Sequence, residues 1–327
     1  MTTAGPHTIE AAGRPDPVLA ARAAAAAAVA ASGVEVVAAD SLELQQQVLD
    51  VVDRIWRPPM GEPVITLGVL RAMVHAGNYC SAALLDGRLV GVCLGFLGDH
   101  PPRSLHSHIA GVTRAGEGRH IGYALKLHQR AWALDRGLDT VTWTFDPLVR
   151  RNAYFNTVKL AARPVNYLVD FYGEMTDEIN TGQGSDRLLV QWPLLAPEVV
   201  GAASGQFAES GLEALRVDAV PVLDDGGPDG PVAMPEPTDE IPVSVRVPPD
   251  IERLRLVTPE LGKRWRAAVR DAMVGRLDRG WTVRGCTRDG WYVLAPPRSD
   301  TMVGARPEAR PEARPHGEGG SSGSSQS

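Results

Sequence analysis

Between a strand-like run and an amphipathic helix, the chain reads Arg119-His120-Ile121-Gly122-Tyr123-Ala124. A glycine at the start of a helix lets an anion approach the backbone closely, and the first N–H groups of a helix have no intrahelical acceptor. The positive end of the helix dipole favours the same anion, and an arginine can add charge-assisted hydrogen bonds. The stretch therefore predicts a phosphate site, with a plain tight turn as the alternative.

The predicted strands and helices on either side of residues 119–124 help to decide between a phosphate site and a plain tight turn. Upstream, apolar periodicity predicts a strand over 34–37, then two helices and three strands, with a hairpin turn at 86–87. Downstream it predicts a helix over 121–136, an alternating strand over 140–145 and a short helix over 152–160. The sequence has neither the glycine pattern of a dinucleotide-binding βαβ unit nor that of a P-loop.

This order of elements, with Arg-x-x-Gly-x-Ala before the helix, resembles the GNAT superfamily of N-acetyltransferases, whose pyrophosphate-binding signature is Gln/Arg-x-x-Gly-x-Gly/Ala. The resemblance covers residues 34–192 and extends to a subgroup of predicted bacterial GNAT proteins. The stretches that carry it are Ser107-His108-Ile109-Ala110-Gly111-Val112, Trp143-Thr144-Phe145-Asp146-Pro147-Leu148, Asn152-Ala153-Tyr154-Phe155-Asn156, Tyr172-Gly173 and Ser185-Asp186-Arg187. It implies an α/β fold: a mixed, twisted central β-sheet flanked by helices, with a C-terminal strand–helix–hairpin extension.

The resemblance also implies a co-substrate, acetyl-CoA or another acyl-CoA, and no metal. In GNAT enzymes the strands before and after the signature helix separate at one end, and the pantetheine arm lies in the gap. The predicted contacts are the backbone of Ile109, Ala110, Gly111 and Val112, the side chain of Arg119, the amides of His120, Ile121, Gly122, Tyr123 and Ala124, and the side chain of Asn152 or Asn156.

Direct attack of an amine on a thioester needs a general base, and an acid helps the thiolate to leave. His108 beside the gap is the predicted base, with a structural histidine as the alternative. Asp146 is a second candidate, with a turn or helix-capping role as its alternative. Superfamily members commonly have a tyrosine acid where this chain has Thr157, so Tyr154 and Tyr172 are the predicted substitutes, with packing roles as alternatives.

The predicted function is transfer of an acyl group, by default acetyl, from acyl-CoA to the primary amine of a small molecule, possibly an amino acid. Arg187 is predicted to bind a substrate carboxylate, and a salt bridge to Asp186 or another acid is the alternative. The rival function is that of a non-catalytic CoA-binding or regulatory module, which the missing tyrosine favours.

Composition excludes other classes of function. The 327 residues are 44% hydrophobic and 22% charged, as in soluble globular proteins, and the net charge of -6 argues against a nucleic-acid partner. Three widely spaced cysteines form neither a disulfide framework nor a zinc motif. The alanine run over 20–31 is too weakly apolar for a membrane span, so we expect a cytoplasmic location. That the protein is a bacterial enzyme is implied by the resemblance.

Five segments are expected along the chain. An Ala-rich flexible extension, frayed or partly helical, covers 1–33 and precedes an acetyltransferase domain over 34–195. A linker or long loop over 196–240 is indicated by its Pro, Gly and Asp content. A C-terminal α+β extension over 241–297 packs on the core, and a tail over 298–327 is predicted to be disordered.

Overall fold

The fold is built on a mixed sheet whose strands are β1 (Glu35–Ala38), β2 (Tyr79–Leu85), β3 (Arg88–Gly98), β4 (Ser104–Val112), β5 (Thr140–Phe145), β6 (Arg163–Leu168) and β7 (Arg187–Pro193). The computed structural model describes residues 16–99, 103–173, 184–238 and 241–297. Within them the strand order is β1-β2-β3-β4-β5-β7-β6. Neighbouring strands are antiparallel except for the parallel pair β4 and β5. A parallel pair needs a crossover, which here is a helix.

Helices cover both faces of this sheet, and the first four are α1 (Pro17–Ser32), α2 (Leu42–Trp56), α3 (Leu67–His75) and α4 (Ile121–Asp135). On one face, α2 and α3 bury a core that includes Val92 and Ile109. On the other, α1 and α4 bury a core that includes Leu105. The predicted mixed α/β sheet flanked by helices is confirmed.

Local signals in the sequence explain several of these boundaries. Asp86 and Gly87 take φ values of 49° and 73°, so the turn between β2 and β3 has the left-handed backbone that this dipeptide favours. The hydroxyl of Ser41 accepts from the Leu44 N–H at 3.1 Å and caps α2, and Thr66 caps α3 in the same way.

The N-terminal segment follows the helical alternative in the part that the structure describes. Residues 17–32 form the regular helix α1, capped by Asp16, and not a frayed, flexible extension. Its small Ala21 and Ala25 side chains are buried against α4, and Arg22 forms an ion pair with Asp135 of that helix. Alanines allow two helices to approach closely, which explains how so weakly apolar a helix is held. Residues 1–15 lie outside the described part.

The segment over 196–240 is also not a linker. After α4 comes the short helix α5 (Arg150–Tyr154) with its π-helical continuation Phe155–Lys159. The segment over 196–240 then holds α6 (Pro197–Ala203), α7 (Glu209–Asp218), β8 (Val220–Asp225) and β9 (Pro231–Ala233). Burial of Val222 and Leu223 shows that β8 is a core strand despite its Pro- and Asp-rich surroundings. Residues 239–240 lie outside the described part.

A second sheet joins this segment to the C-terminal one, which contains β10 (Val243–Arg246), α8 (Ile251–Val257), α9 (Pro259–Asp278), β11 (Thr282–Cys286) and β12 (Trp291–Ala295). Among the described residues its order is β11-β12-β10-β8-β9. The extension touches the first sheet's elements directly, since the Tyr292 hydroxyl donates to the Pro147 carbonyl at 2.9 Å. The tail predicted over 298–327 lies outside the described residues.

Candidate functional site

The strands β4 and β5 form a fork, defined here as the opening between residues 107–112 and residues 143–145. Among the described residues, their pairing consists of Leu105 with Val141 and His106 with Thr142. Beyond these positions both strands continue without pairing to each other, up to the ends of β4 and β5. The fork therefore opens toward the carboxyl ends of two parallel strands, where α/β sheets commonly bind ligands.

A β-bulge places His108 at the base of the fork. On β3, Leu94 pairs with Ile109 and Gly95 pairs with Ser107, so His108 is the extra residue of β4. Gly95 permits this geometry, because a Cβ on it would lie 2.6 Å from the His106 carbonyl oxygen. Bulges redirect side chains and are frequent beside active sites.

The backbone groups of β4 that face the fork follow from hydrogen-bond alternation. The Thr113 N–H donates to Val90 O at 2.8 Å, so alternate residues below it also pair with β3. Ala110 and Val112 consequently direct their N–H and C=O groups into the fork. Within the predicted stretch Ile109 to Val112, the backbone of Ile109 and Gly111 therefore faces β3, and Ala110 and Val112 remain the predicted contacts.

The side chains of β4 beyond the bulge explain the same arrangement. Ile109 is buried in the core beneath α2. A Cβ on Gly111 would lie 2.7 Å from the ring of Trp56, so the end of α2 closes over the strand at this glycine. Which residues of this stretch face the fork depends on the bulge, and the bulge depends on the pairing with β3.

The N-terminus of α4 lies at the open end of the fork. His120 takes φ 60° and precedes the first turn, where the N–H groups of Tyr123 and Ala124 bond to the His120 carbonyl at 3.0 and 3.1 Å. Within the described residues, no hydrogen bond to a protein acceptor involves the N–H of Ile121 or Gly122. A Cβ on Gly122 would stand 4.0 Å from Val112, so these N–H groups border the end of β4.

The start of α4 meets the physical requirements of an anion site, but some of the predicted amides bond within the helix. The amides of Tyr123 and Ala124 bond to the His120 carbonyl within the helix. The amides of His120, Ile121 and Gly122 and the exposed side chain of Arg119 remain the predicted phosphate contacts. The Tyr123 hydroxyl instead donates to the Ala202 carbonyl of α6.

The two predicted asparagines differ in their surroundings. Asn156 is buried, and its side-chain oxygen accepts from the Trp143 Nε1 at 3.2 Å. This bond ties the π-helical turn to β5, so Asn156 has a structural role in place of the predicted contact through that oxygen. Asn152 is exposed on α5 and remains a predicted contact.

Two histidines and a phenylalanine line the base of the fork on one side of the sheet. The ring centroid of His108 lies 5.8 Å from that of Phe96 and 6.3 Å from that of His106. Burial lowers the pKa of His108, and burial, His108 and Lys126 together lower the pKa of His106 to about 4. Both rings are therefore neutral near pH 7, and His108 is the exposed one.

Asp146 cannot serve as the base. Its carboxylate is buried and bonds to Arg255 and to Arg266, whose Nη2 lies at 2.8 Å. Burial alone would raise the pKa of Asp146, but the guanidinium groups of Arg266 and Arg255 outweigh it and hold that pKa below its usual range. The same carboxylate accepts from the Leu148 N–H at 2.9 Å, so the alternative turn-capping role is the one observed.

The two predicted tyrosines occupy different places. Tyr154 contacts the second sheet, with its hydroxyl accepting from Arg288 at 2.9 Å and its ring packed near Leu212. The hydroxyl of Tyr172 lies 3.3 Å from Thr144 Oγ1 on β5. Since Tyr172 is 43% exposed and stands beside β5, it is the tyrosine placed to donate a proton near the fork.

Thr157, at the position where a tyrosine acid is common, is committed elsewhere. Its hydroxyl donates to the Ala153 carbonyl at 2.8 Å and accepts from the Cys286 N–H at 2.9 Å. This side chain thus anchors β11 of the extension to the π-helical turn. The departure from the superfamily pattern coincides with attachment of a segment from the second sheet.

Arg187 belongs to the buried charge cluster rather than to an open pocket. It is 8% exposed, donates to the Asp186 carbonyl at 2.8 Å and lies 3.9 Å from the Asp146 carboxylate. Its guanidinium is 5.2 Å from the Tyr172 ring. The alternative of a salt bridge is therefore the observed one, and Arg187 borders the site through Tyr172.

Two concave surfaces lie beside helices. Each has a volume of about 390 Å³, one at the loop between α2 and α3 and one between α1 and α4. Neither is lined by a residue of β4 or β5. We assign the site to the fork, because proton acceptors, strand backbone and a helix N-terminus meet there.

Comparison with known proteins adds fold neighbours of low similarity. No family model matches the sequence, and no curated protein matches it. A GNAT-family acetyltransferase from Streptococcus pneumoniae aligns with a TM-score of 0.41 and 12% identity over 48% of this chain and 98% of that one. The ribosomal-protein-S18-alanine N-acetyltransferase of Escherichia coli gives 0.40 and 11% over 50% and 97%.

No helix among the described residues is long and apolar enough to cross a membrane.

Proposed function

We propose that this chain is an acyl-CoA-dependent N-acyltransferase that transfers an acyl group, by default acetyl, to the primary amine of a small molecule. The observation that carries the proposal is the fork between β4 and β5 with the α4 N-terminus at its open end. Backbone N–H and C=O groups along a slot suit a linear amide-bearing arm. A helix start at the mouth of that slot suits the phosphates at the arm's other end.

We infer that the described residues would hold acyl-CoA in two places. The N–H groups of Ile121 and Gly122, with Arg119, would hold the pyrophosphate. The backbone of Ala110 and Val112 would bond to the pantetheine amides. When bound, the co-substrate supplies an activated acyl group on a thioester, and all other chemistry falls to side chains and backbone of the chain.

His108 is the proposed general base, and it acts directly or through one water. The lowered pKa keeps its ring neutral near pH 7, so it can take the proton from an ammonium and free the amine lone pair. An N–H group of β4 that faces the fork, at Ala110 or Val112, would stabilise the negative charge that develops on the acyl oxygen. Tyr172 would donate a proton to the leaving sulfur.

The acceptor is defined here only as a small primary amine. An amino acid was predicted through Arg187, and the ion pair of Arg187 with Asp146 removes the main support for recognition of a carboxylate. The ring of the half-exposed Phe96 lies 5.8 Å from the His108 ring and favours an amine with an apolar substituent. The competing function, CoA binding without catalysis, is favoured by one observation, the engagement of Thr157 with Cys286.

Release of free thiol tests the proposal. We expect the protein to release CoA thiol from acetyl-CoA when a panel of small primary amines is supplied, with no release by Gly122→Trp, whose indole would fill the phosphate site. Binding of acetyl-CoA without release by any amine would support the non-catalytic alternative. Equal release by Gly122→Trp would contradict the assigned site.

A further inference from the structure

Lys126 of α4 lies directly behind the apex of the fork, which is the point where β4 and β5 separate. Its Nζ donates to Ser107 Oγ at 3.1 Å and stands 3.8 Å from the centroid of the Trp143 ring. Ser107 and Trp143 are the first residues beyond the last paired positions of β4 and β5. One ammonium group therefore contacts both strands at the point where they separate.

Folding stability does not explain why the charged side chain of Lys126 is buried at this position. The residue is 4% exposed, and its other partner is Gln129 Oε1 at 2.6 Å. Within the described residues, no Asp or Glu forms an ion pair with it. Burial of a lysine without a counter-charge is unfavourable, and an apolar side chain of similar volume often serves packing better.

We propose that Lys126 is a positioning residue for acyl transfer: its ammonium group holds the apex of the fork from behind and fixes the bulge that presents His108. The inference rests on the proposed acyltransferase function. Ser107, which accepts from Lys126, immediately precedes His108 in β4. The helix that carries Lys126 also begins at the phosphate site, so a single rigid element sets both the cofactor's anchor and the position of the base.

Electrostatics supports this role. Burial lowers the pKa of Lys126 to about 8, with Cys93 of β3 opposing the shift, so the group stays mostly charged at neutral pH. Its charge is one of the causes that lower the pKa of His106, after burial and after His108. The group that faces His106 from β5 is the neutral Thr142 hydroxyl, 3.1 Å from Nδ1. Removing the charge of Lys126 should therefore raise the pKa of His106.

The test compares Lys126→Met with Ser107→Ala and with Lys263→Met, a control that removes an exposed lysine paired with Glu260. Steady-state kinetics with acetyl-CoA and the best amine, thermal unfolding and NMR titration of the His106 ring are measured on the full chain. We expect Lys126→Met to lower kcat by about 10²-fold, because misplaced reacting groups carry penalties of that size. The KM for acetyl-CoA should stay within about threefold, and the His106 pKa should rise. Lys263→Met should match wild type.

The outcomes separate the two proposals. A folded Lys126→Met with wild-type kcat and an unchanged His106 titration overturns the inference on Lys126 and leaves the acyltransferase proposal standing. If Lys126→Met does not fold, Ser107→Ala decides, since it removes only the anchor on β4: a lowered kcat supports the role of Lys126, and a wild-type kcat overturns it. A wild-type protein that releases no thiol overturns the proposed function itself.

Discussion

Replacing Asp146 by asparagine is expected to lower the free energy of unfolding by about 3–5 kcal/mol, because it removes the buried negative charge shared by Arg255 and Arg266. Asparagine preserves the shape and can still accept from the Leu148 N–H, so the loss reports charge rather than packing. The guanidinium groups of both arginines are almost fully buried and would be left without this carboxylate. Chemical denaturation of both proteins measures the difference.

The sign of the pH dependence follows from the shifted pKa. The pKa of Asp146 is depressed in the folded protein, so its stabilisation is fully present above the unfolded value of 3.8 and is lost as the pH falls through the lower folded value. The difference between Asp146→Asn and wild type should thus persist at neutral pH and shrink in strong acid. Glu260→Gln, in an exposed pair with Lys263, is the control and should cost less than about 1 kcal/mol. An equal loss in the two variants would contradict the buried cluster.

Replacing His108 by alanine is expected to lower kcat by about 10²- to 10⁴-fold while acetyl-CoA binding stays intact, because the base is lost and the phosphate site is not. In wild type the rate should rise with pH as His108 loses its proton. Burial lowers the pKa of His108. The midpoint of the rise in rate should therefore lie below pH 6.5, the ordinary pKa of histidine, and the rate should be constant near neutral pH. The rise should be absent from the variant.

The control for His108 is His75→Ala, an exposed histidine at the end of α3. Its kcat and pH profile should equal those of wild type. If His108→Ala kept both the rate and the acid limb of wild type, His108 would be a structural residue of the bulge, and the base would have to be sought elsewhere at the fork.

Local signals made the frame of the site predictable. The Arg119–Ala124 stretch, the Asp86-Gly87 turn and the alternation of β5 depend on neighbours in sequence, and the structure confirms the helix, the hairpin and the strand. The bulge at His108 was not predictable in this way. It arises from the register between β3 and β4, and it reverses which backbone groups face the fork.

Long-range partners explain the remaining errors. The sequence predicts that Asp146 is a turn residue or a base. It does not reveal the ion pairs, because Arg255 and Arg266 lie 109 and 120 residues away along the chain. The segment over 196–240 reads as a linker from its Pro, Gly and Asp content. It becomes α6, α7, β8 and β9 because β8 pairs with β10 of the C-terminal part. Composition reports local preference, and these pairings outweigh it.

Isothermal titration of the full chain with acetyl-CoA, beside Gly122→Trp, tests the central claim most directly. We predict saturable binding at one site by the wild-type protein and loss of that binding in the variant. The indole would occupy the space next to the N–H groups of Ile121 and Gly122, where the pyrophosphate is proposed to lie. Binding of equal affinity by both proteins, or by neither while both are folded, would contradict the claim that the fork is an acyl-CoA site.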